Sequence, residues 1–161
     1  MNAVSLRFAE EKDMPSVLVL IQELADFEKE PDAVVVTQED LIRDAFGDSP
    51  KFKCIVAEKE QQIIGMALFY PRYSTWKGPT LHLEDLIVTQ SERGTGVGKA
   101  LYTAFIDYAA SQKVRRIEWV VLDWNTHAVD FYKDSGASVL NDWRTVQMDE
   151  VAMQQYLAKE K

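Results

Sequence analysis

The chain has 161 residues, 47% hydrophobic and 27% charged, a balance that excludes disordered and fibrous classes and suits one globular domain over 1–161. No apolar run approaches the ~18 residues of a membrane span, and no basic stretch leads into an apolar core at the N-terminus, so a cytoplasmic location with no membrane partner is expected. The 26 acids and 18 bases leave a net charge of −8, which opposes nucleic-acid binding and draws cations toward any acidic cleft.

Val4, Leu6 and Phe8 alternate in a first strand from Ala3 to Ala9, and Asp13-Met14-Pro15 opens a helix with a capping residue and an early proline. Met14, Val17, Leu18, Ile21, Leu24 and Ala25 form its apolar stripe, and Pro31 stops it. Thr37 caps a second short helix whose apolar members are Leu41, Ile42, Ala45 and Phe46, ending at Gly47. Strands follow over Phe52 to Glu58 and Ile63 to Tyr73, joined as a hairpin through Glu60-Gln61-Gln62. Cys54, the sole cysteine, reads as a buried strand residue and rules out an intrachain disulfide. His82 and His127 lack a ligand pattern around them, so no metal is expected.

The strand Leu81 to Val88 leads into Gln90-Ser91-Glu92-Arg93-Gly94-Thr95-Gly96-Val97-Gly98-Lys99-Ala100. From Val97 onward, Val97, Ala100, Leu101, Ala104, Phe105 and Tyr108 fall on one helical face. The glycines therefore stand at a helix N-terminus, where the first backbone N–H groups have no intrahelical acceptor and the helix dipole is positive. Such a site takes an anion; Gly94, Gly96 and Gly98 let backbone approach it, and Arg93 and Lys99 can add charge-assisted hydrogen bonds. A nucleotide P-loop ending at Gly98-Lys99 would need glycine at Arg93 and Ser or Thr at Ala100; a dinucleotide fingerprint starting at Gly94 would need glycine at Lys99. Both spellings fail. Downstream, Arg116 to Leu122 reads as a strand reached by a crossover, Thr126 to Asp134 as a helix ending near Gly136, and Trp143 to Met148 as a last strand before a C-terminal helix.

This order of elements, with Arg93-Gly94-Thr95-Gly96-Val97-Gly98, resembles the GNAT superfamily of N-acetyltransferases. Leu20-Ile21-Gln22-Glu23-Leu24-Ala25, Leu83-Glu84-Asp85-Leu86-Ile87-Val88, Trp124-Asn125 and Phe131-Tyr132-Lys133-Asp134-Ser135-Gly136-Ala137 are similar to the diamine (spermidine/spermine) and thialysine N-acetyltransferases. The resemblance implies an α/β fold with a mixed central sheet of about six to seven strands, flanked by helices and split by an acetyl-CoA cleft. It further implies that Leu86, Ile87 and Val88 hold the pantetheine arm. Arg93, Gly94, Thr95, Gly96, Val97, Gly98 and Lys99 would form the pyrophosphate loop, with Asn125 to Ala128 lining the far side. Phe27 and Glu28 match positions that contact the amine, Trp76 borders the acceptor cleft, and a homodimer is implied.

Acetyl transfer needs a neutral amine, yet an alkylamine resembling lysine has a pKa of about 10.4 and is mostly protonated near neutrality. A base must remove that proton, and an acid near the sulfur helps the thiolate leave. The motif match places Glu84 as base, through water, and Tyr132 as acid. Glu84 and Asp85, adjacent on a strand, are expected on opposite faces and therefore not as a carboxylate pair. Polyamine-selective relatives carry acids where Tyr73-Ser74-Thr75-Trp76-Lys77 has none and where Val139-Leu140-Asn141-Asp142 has only one, so thialysine, lysine or a short diamine competes with spermidine as acceptor. A protein lysine or N-terminal acetyltransferase, and an acetyl-CoA-binding regulator without turnover, remain the rival readings.

Overall fold

The computed structural model describes residues 3–159, which divide after Val120 into two compact units. The first carries strands β1 (Ser5–Phe8), β2 (Lys53–Lys59), β3 (Gln62–Ser74), β4 (Gly78–Val88) and β5 (Ile117–Glu118), with helices α1 (Met14–Phe27), α2 (Gln38–Phe46) and α3 (Val97–Ser111). The second carries α4 (Thr126–Asp134) and α5 (Glu150–Lys159). Among the described residues the strands form one sheet in the order β1-β2-β3-β4-β5, antiparallel except for the parallel β4–β5 pair.

Five strands stand where six or seven were expected, and the shortfall lies after α3. The strand expected over Arg116 to Leu122 pairs only at Leu81↔Ile117 and His82↔Glu118. Just beyond His82, β4 carries a bulge, which bends a strand and ends its ladder. The segment Trp143 to Met148 forms no strand; its own unit has no other described strand to take its backbone groups.

Local chemistry accounts for the element ends. Thr37 and Asp40 form a reciprocal capping box at the start of α2, with Asp40 N–H donating to Thr37 Oγ1 at 3.1 Å and Thr37 N–H to Asp40 Oδ2 at 3.0 Å. Asp13 does not cap α1 with its side chain. Its carboxylate instead accepts from Arg7 Nη1 at 2.6 Å and from Glu10 N–H at 2.7 Å, and the Arg7 hydrogen bond holds its pKa below the ordinary range. Nor does Pro31 stop α1: Lys29, at φ 67°, takes the left-handed turn that closes it, and Glu30 N–H returns to Ala25 O at 2.9 Å. Glu60 and Gln61, both at positive φ, make the two-residue turn of the β2–β3 hairpin.

Apolar side chains cover both sheet faces. Met14, Val17 and Leu20 of α1 and Leu41 of α2 pack with Cys54, Val56, Met66, Leu68 and Ile87. On the other face Phe69 meets Phe105 and Tyr108 of α3 at ring-centroid distances of 5.0 and 5.1 Å. Gly65 of β3, opposite Val88 of β4, sits where α3 crosses: a Cβ there would lie 2.8 Å from Ile87 O and 3.1 Å from Leu101 Cδ1. The Gly65→Ala variant is therefore expected to be destabilised by about 1–3 kcal/mol through overpacking. A lower urea midpoint reads this out, and an unchanged midpoint would refute it.

Candidate active site

The bulge builds the site. Leu68 pairs with Asp85 and Phe69 with Leu83, so Glu84 is the extra residue on β4. An unbroken strand alternates its side chains, and one inserted residue shifts the alternation by one. Leu68 belongs to the core under α1, which places its partner Asp85 on that face. Tyr70, two residues on, pairs with His82 and shares the face. Glu84, between His82 and Asp85, joins them: Tyr70 O–H donates to Glu84 Oε2 at 2.9 Å, and His82 Nε2 lies 3.5 Å from the same oxygen. The expectation that Glu84 and Asp85 point to opposite faces is overturned. No glycine or proline marks this bulge in the sequence, so periodicity alone missed it.

The electrostatics follow from that crowding. Burial, then the charges of Glu84 and Glu28, push the Asp85 carboxyl up to about 7. Glu28, one residue past the end of α1, is exposed, yet desolvation and the charge of Glu84 raise its pKa as well. Burial and the hydrogen bond to Glu84 push the Tyr70 hydroxyl up to about 12, so it remains a donor near neutrality. Three carboxyl groups from two elements thus repel one another at one place, a field that favours a cation. Cys54 is buried, and desolvation raises its thiol to about 12, which leaves no reactive thiolate.

Past the bulge, residues 83–88 of β4 pair only with β3 among the described residues, leaving the opposite edge of Leu86, Ile87 and Val88 open. The chain then turns through Gln90–Glu92 into the glycine loop. Gly94 (φ 77°) and Gly96 (φ 90°) both lie in the left-handed region, and Gly96 is the N-cap of α3 with no side chain to cap it. A Cβ at either glycine would meet no protein atom within 4 Å, whereas Gly98 lies against Val88. Backbone N–H groups at Val97, Gly98 and Lys99 open the helix, and such an end can receive an anion. Thr95 Oγ1 donates to Glu92 O at 2.6 Å.

Arg93 is tied to the protein. Its Nε donates to Val88 O at 3.0 Å, its Nη2 lies 3.7 Å from Glu23 Oε1, and its guanidinium stacks 5.3 Å from the Phe27 ring centre. Glu23 also accepts from Thr89 Oγ1 and Gln90 N–H, at 2.9 and 2.7 Å. The end of α1 and the glycine loop are thus held by the same side chains, a link that the sequence did not reveal. Trp76 stands in the β3–β4 turn, 76% exposed. Six residue steps along β4, ~20 Å of strand, run from Gly78 to Glu84.

In the second unit Asn125 caps α4, its Oδ1 accepting from Ala128 N–H at 3.3 Å. Tyr132 lies within α4, its ring 5.5 Å from that of Phe131. Among the described residues no group of three or more His, Cys, Asp or Glu is placed to hold a metal, and no helix is long and apolar enough to cross a membrane.

Comparison with known proteins defines the class. The Acetyltransferase (GNAT) family model matches residues 18–137. The thialysine N-epsilon-acetyltransferase of Bos taurus is 36% identical over 170 aligned residues, covering 99% of this chain and 100% of that protein. The human spermidine/spermine N(1)-acetyltransferase-like protein 1 is also 36% identical, over 85% of this chain and 21% of its own length. An aminoglycoside N-acetyltransferase solved with CoA superposes at a TM-score of 0.73 and 16% identity, covering 92% of this chain and 96% of that one. The chain belongs to the GNAT acetyltransferase family and is an N-acetyltransferase.

Proposed function

We propose that the chain transfers the acetyl group of acetyl-CoA to a primary amine of a small cationic acceptor, a thialysine-like amino acid or a short diamine. The observation that carries this reading is the meeting of Glu28, Glu84 and Asp85 beside the open edge of β4. The full-length similarity to a thialysine N-epsilon-acetyltransferase supports it. Leu86, Ile87 and Val88 then receive the pantetheine arm as an added strand, and the loop from Gly94 to Lys99 receives the pyrophosphate; Asn125 and Ala128 are assigned to the cofactor by the family resemblance. Phe27 and Glu28 bind the acceptor. The working unit is a homodimer, as the family resemblance implies.

In this mechanism the acceptor enters as an ammonium ion. Glu84 takes its proton through a water, and the freed nitrogen attacks the thioester carbonyl carbon. The C–S bond breaks as the C–N bond is completed, and Tyr132 gives its hydroxyl proton to the departing thiolate. General acid catalysis of this kind contributes roughly 10²–10⁴-fold. Tyr132→Phe is therefore expected to lower turnover about 10²-fold while leaving acetyl-CoA affinity unchanged; unchanged turnover would remove Tyr132 from the mechanism.

The deciding experiment measures CoA release from acetyl-CoA with spermidine, putrescine, thialysine, lysine, an aminoglycoside and a basic peptide as acceptors. A dominant response to thialysine, lysine or putrescine is expected. Turnover on the peptide alone would establish a protein acceptor instead, and bound acetyl-CoA without turnover on any amine would establish a sensor.

A further inference from the structure

His82 has no place in the chemistry above, yet its setting is the most constrained around Glu84. The residue is 91% buried, being 9% exposed. Its ring stacks on Tyr70 with centroids 5.1 Å apart. Its Nε2 faces Glu84 Oε2 at 3.5 Å, and its Nδ1 is buried without a hydrogen-bond partner. Only Nε2 therefore has a group to donate to, which fixes the neutral tautomer with its hydrogen on that nitrogen. The 3.5 Å spacing exceeds that of a formed hydrogen bond; separations of this kind tighten when substrate binds.

The other charges around the ring are already matched or carboxylic. On β5 its register partner is Glu118, which is neutralised by ion pairs with Arg72 of β3 and Arg116. On β4 it faces Glu84, with Asp85 beyond, and from the end of α1 comes Glu28. Among the described residues Glu84 is thus the carboxylate within reach of Nε2, and Tyr70 donates to the same oxygen.

We propose that His82 is the positioning residue for Glu84: together with the Tyr70 hydroxyl it holds Oε2 and leaves Oε1 to receive the acceptor's proton. Two donors on one carboxylate oxygen fix the side-chain rotation and leave a single oxygen free for proton transfer. This inference rests on the reading of Glu84 as the base.

The test compares kcat and KM for wild type, His82→Gln, His82→Phe and Glu84→Gln, on whichever acceptor the panel identifies. Gln keeps an N–H donor; Phe keeps the stack on Tyr70 but loses the donor. His82→Gln is expected to retain most of the wild-type kcat. His82→Phe is expected to lose roughly ten- to hundredfold in kcat, the scale of a lost hydrogen bond to a charged group, with the KM for acetyl-CoA unchanged. Wild-type kcat in His82→Phe, or an equal loss in His82→Gln and His82→Phe, with Glu84→Gln impaired, would overturn the inference and leave Glu84 as base. A Glu84→Gln enzyme as active as wild type would instead overturn the underlying reading. Should His82→Phe fail to fold, His82→Leu replaces it as the variant without a donor, read by the same comparison with His82→Gln.

Discussion

Glu84→Gln is expected to lower kcat/KM for the acceptor by roughly 10²–10⁴-fold near neutral pH, the usual contribution of a positioned base. The amide cannot take a proton, so the variant depends on acceptor already neutral in solution. For an amine with a pKa of about 10.4 that fraction rises about tenfold per pH unit below the pKa. The loss should accordingly be greatest at low pH and shrink as pH rises, with the variant's log rate climbing at about unit slope where wild type has levelled. The fold should survive, because the amide oxygen can still accept from the Tyr70 hydroxyl that now bonds Oε2. Profiles measured from about pH 6 to 9.5 read this out, and a variant profile parallel to wild type would exclude Glu84 as the base.

Asp85→Asn should instead raise stability. Burial, with the charges of Glu84 and Glu28, raises Asp85 from its ordinary 3.8 to about 7 in the folded chain. Below about pH 4 the carboxyl is protonated both folded and unfolded and costs folding nothing. Between about pH 4 and 7 the unfolded chain gives up the proton while the folded chain retains it, so stability falls as pH rises. Above about pH 7 the folded chain has ionised too and the penalty is complete, at most about 4 kcal/mol for a shift of about three pH units. Asn carries no such charge. The variant should unfold at higher urea than wild type at pH 8 and at an equal concentration near pH 4, and equal midpoints at both would refute the prediction. Its cost should fall on acceptor KM, since one negative neighbour of the ammonium is gone.

Much of the first unit was legible because its signals are local. The α2 capping box at Thr37 and Asp40, the β2–β3 turn and the helix starting at Val97 each come from a few neighbouring residues, and each lies where the sequence places it. The loop of Gly94, Gly96 and Gly98 was readable for the same reason. What escaped depends on partners distant in the chain. The alternation of β4 breaks at Glu84 because Leu83 and Asp85 are both held by β3, to Phe69 and Leu68, and strand periodicity contains no record of that. Asp13 looked like a helix cap, but Arg7 competes for its carboxylate. The ties of Arg93 to Val88 O, Glu23 and Phe27 likewise come from residues apart in the chain and could not be read from its own loop. The strand expected over Arg116 to Leu122 is short because its ladder is ended by a neighbour's backbone, which its own composition cannot register.

The extra residue in β4 also separates where a side chain is displayed from which side chain it is. Leu83 and Ile87, on either side, are buried at 2% and 4% exposure, and they hold the register whatever occupies position 84. Substitution at that position would therefore remove the base without refolding the sheet beneath it, so that chemistry can be lost there while the architecture stays whole.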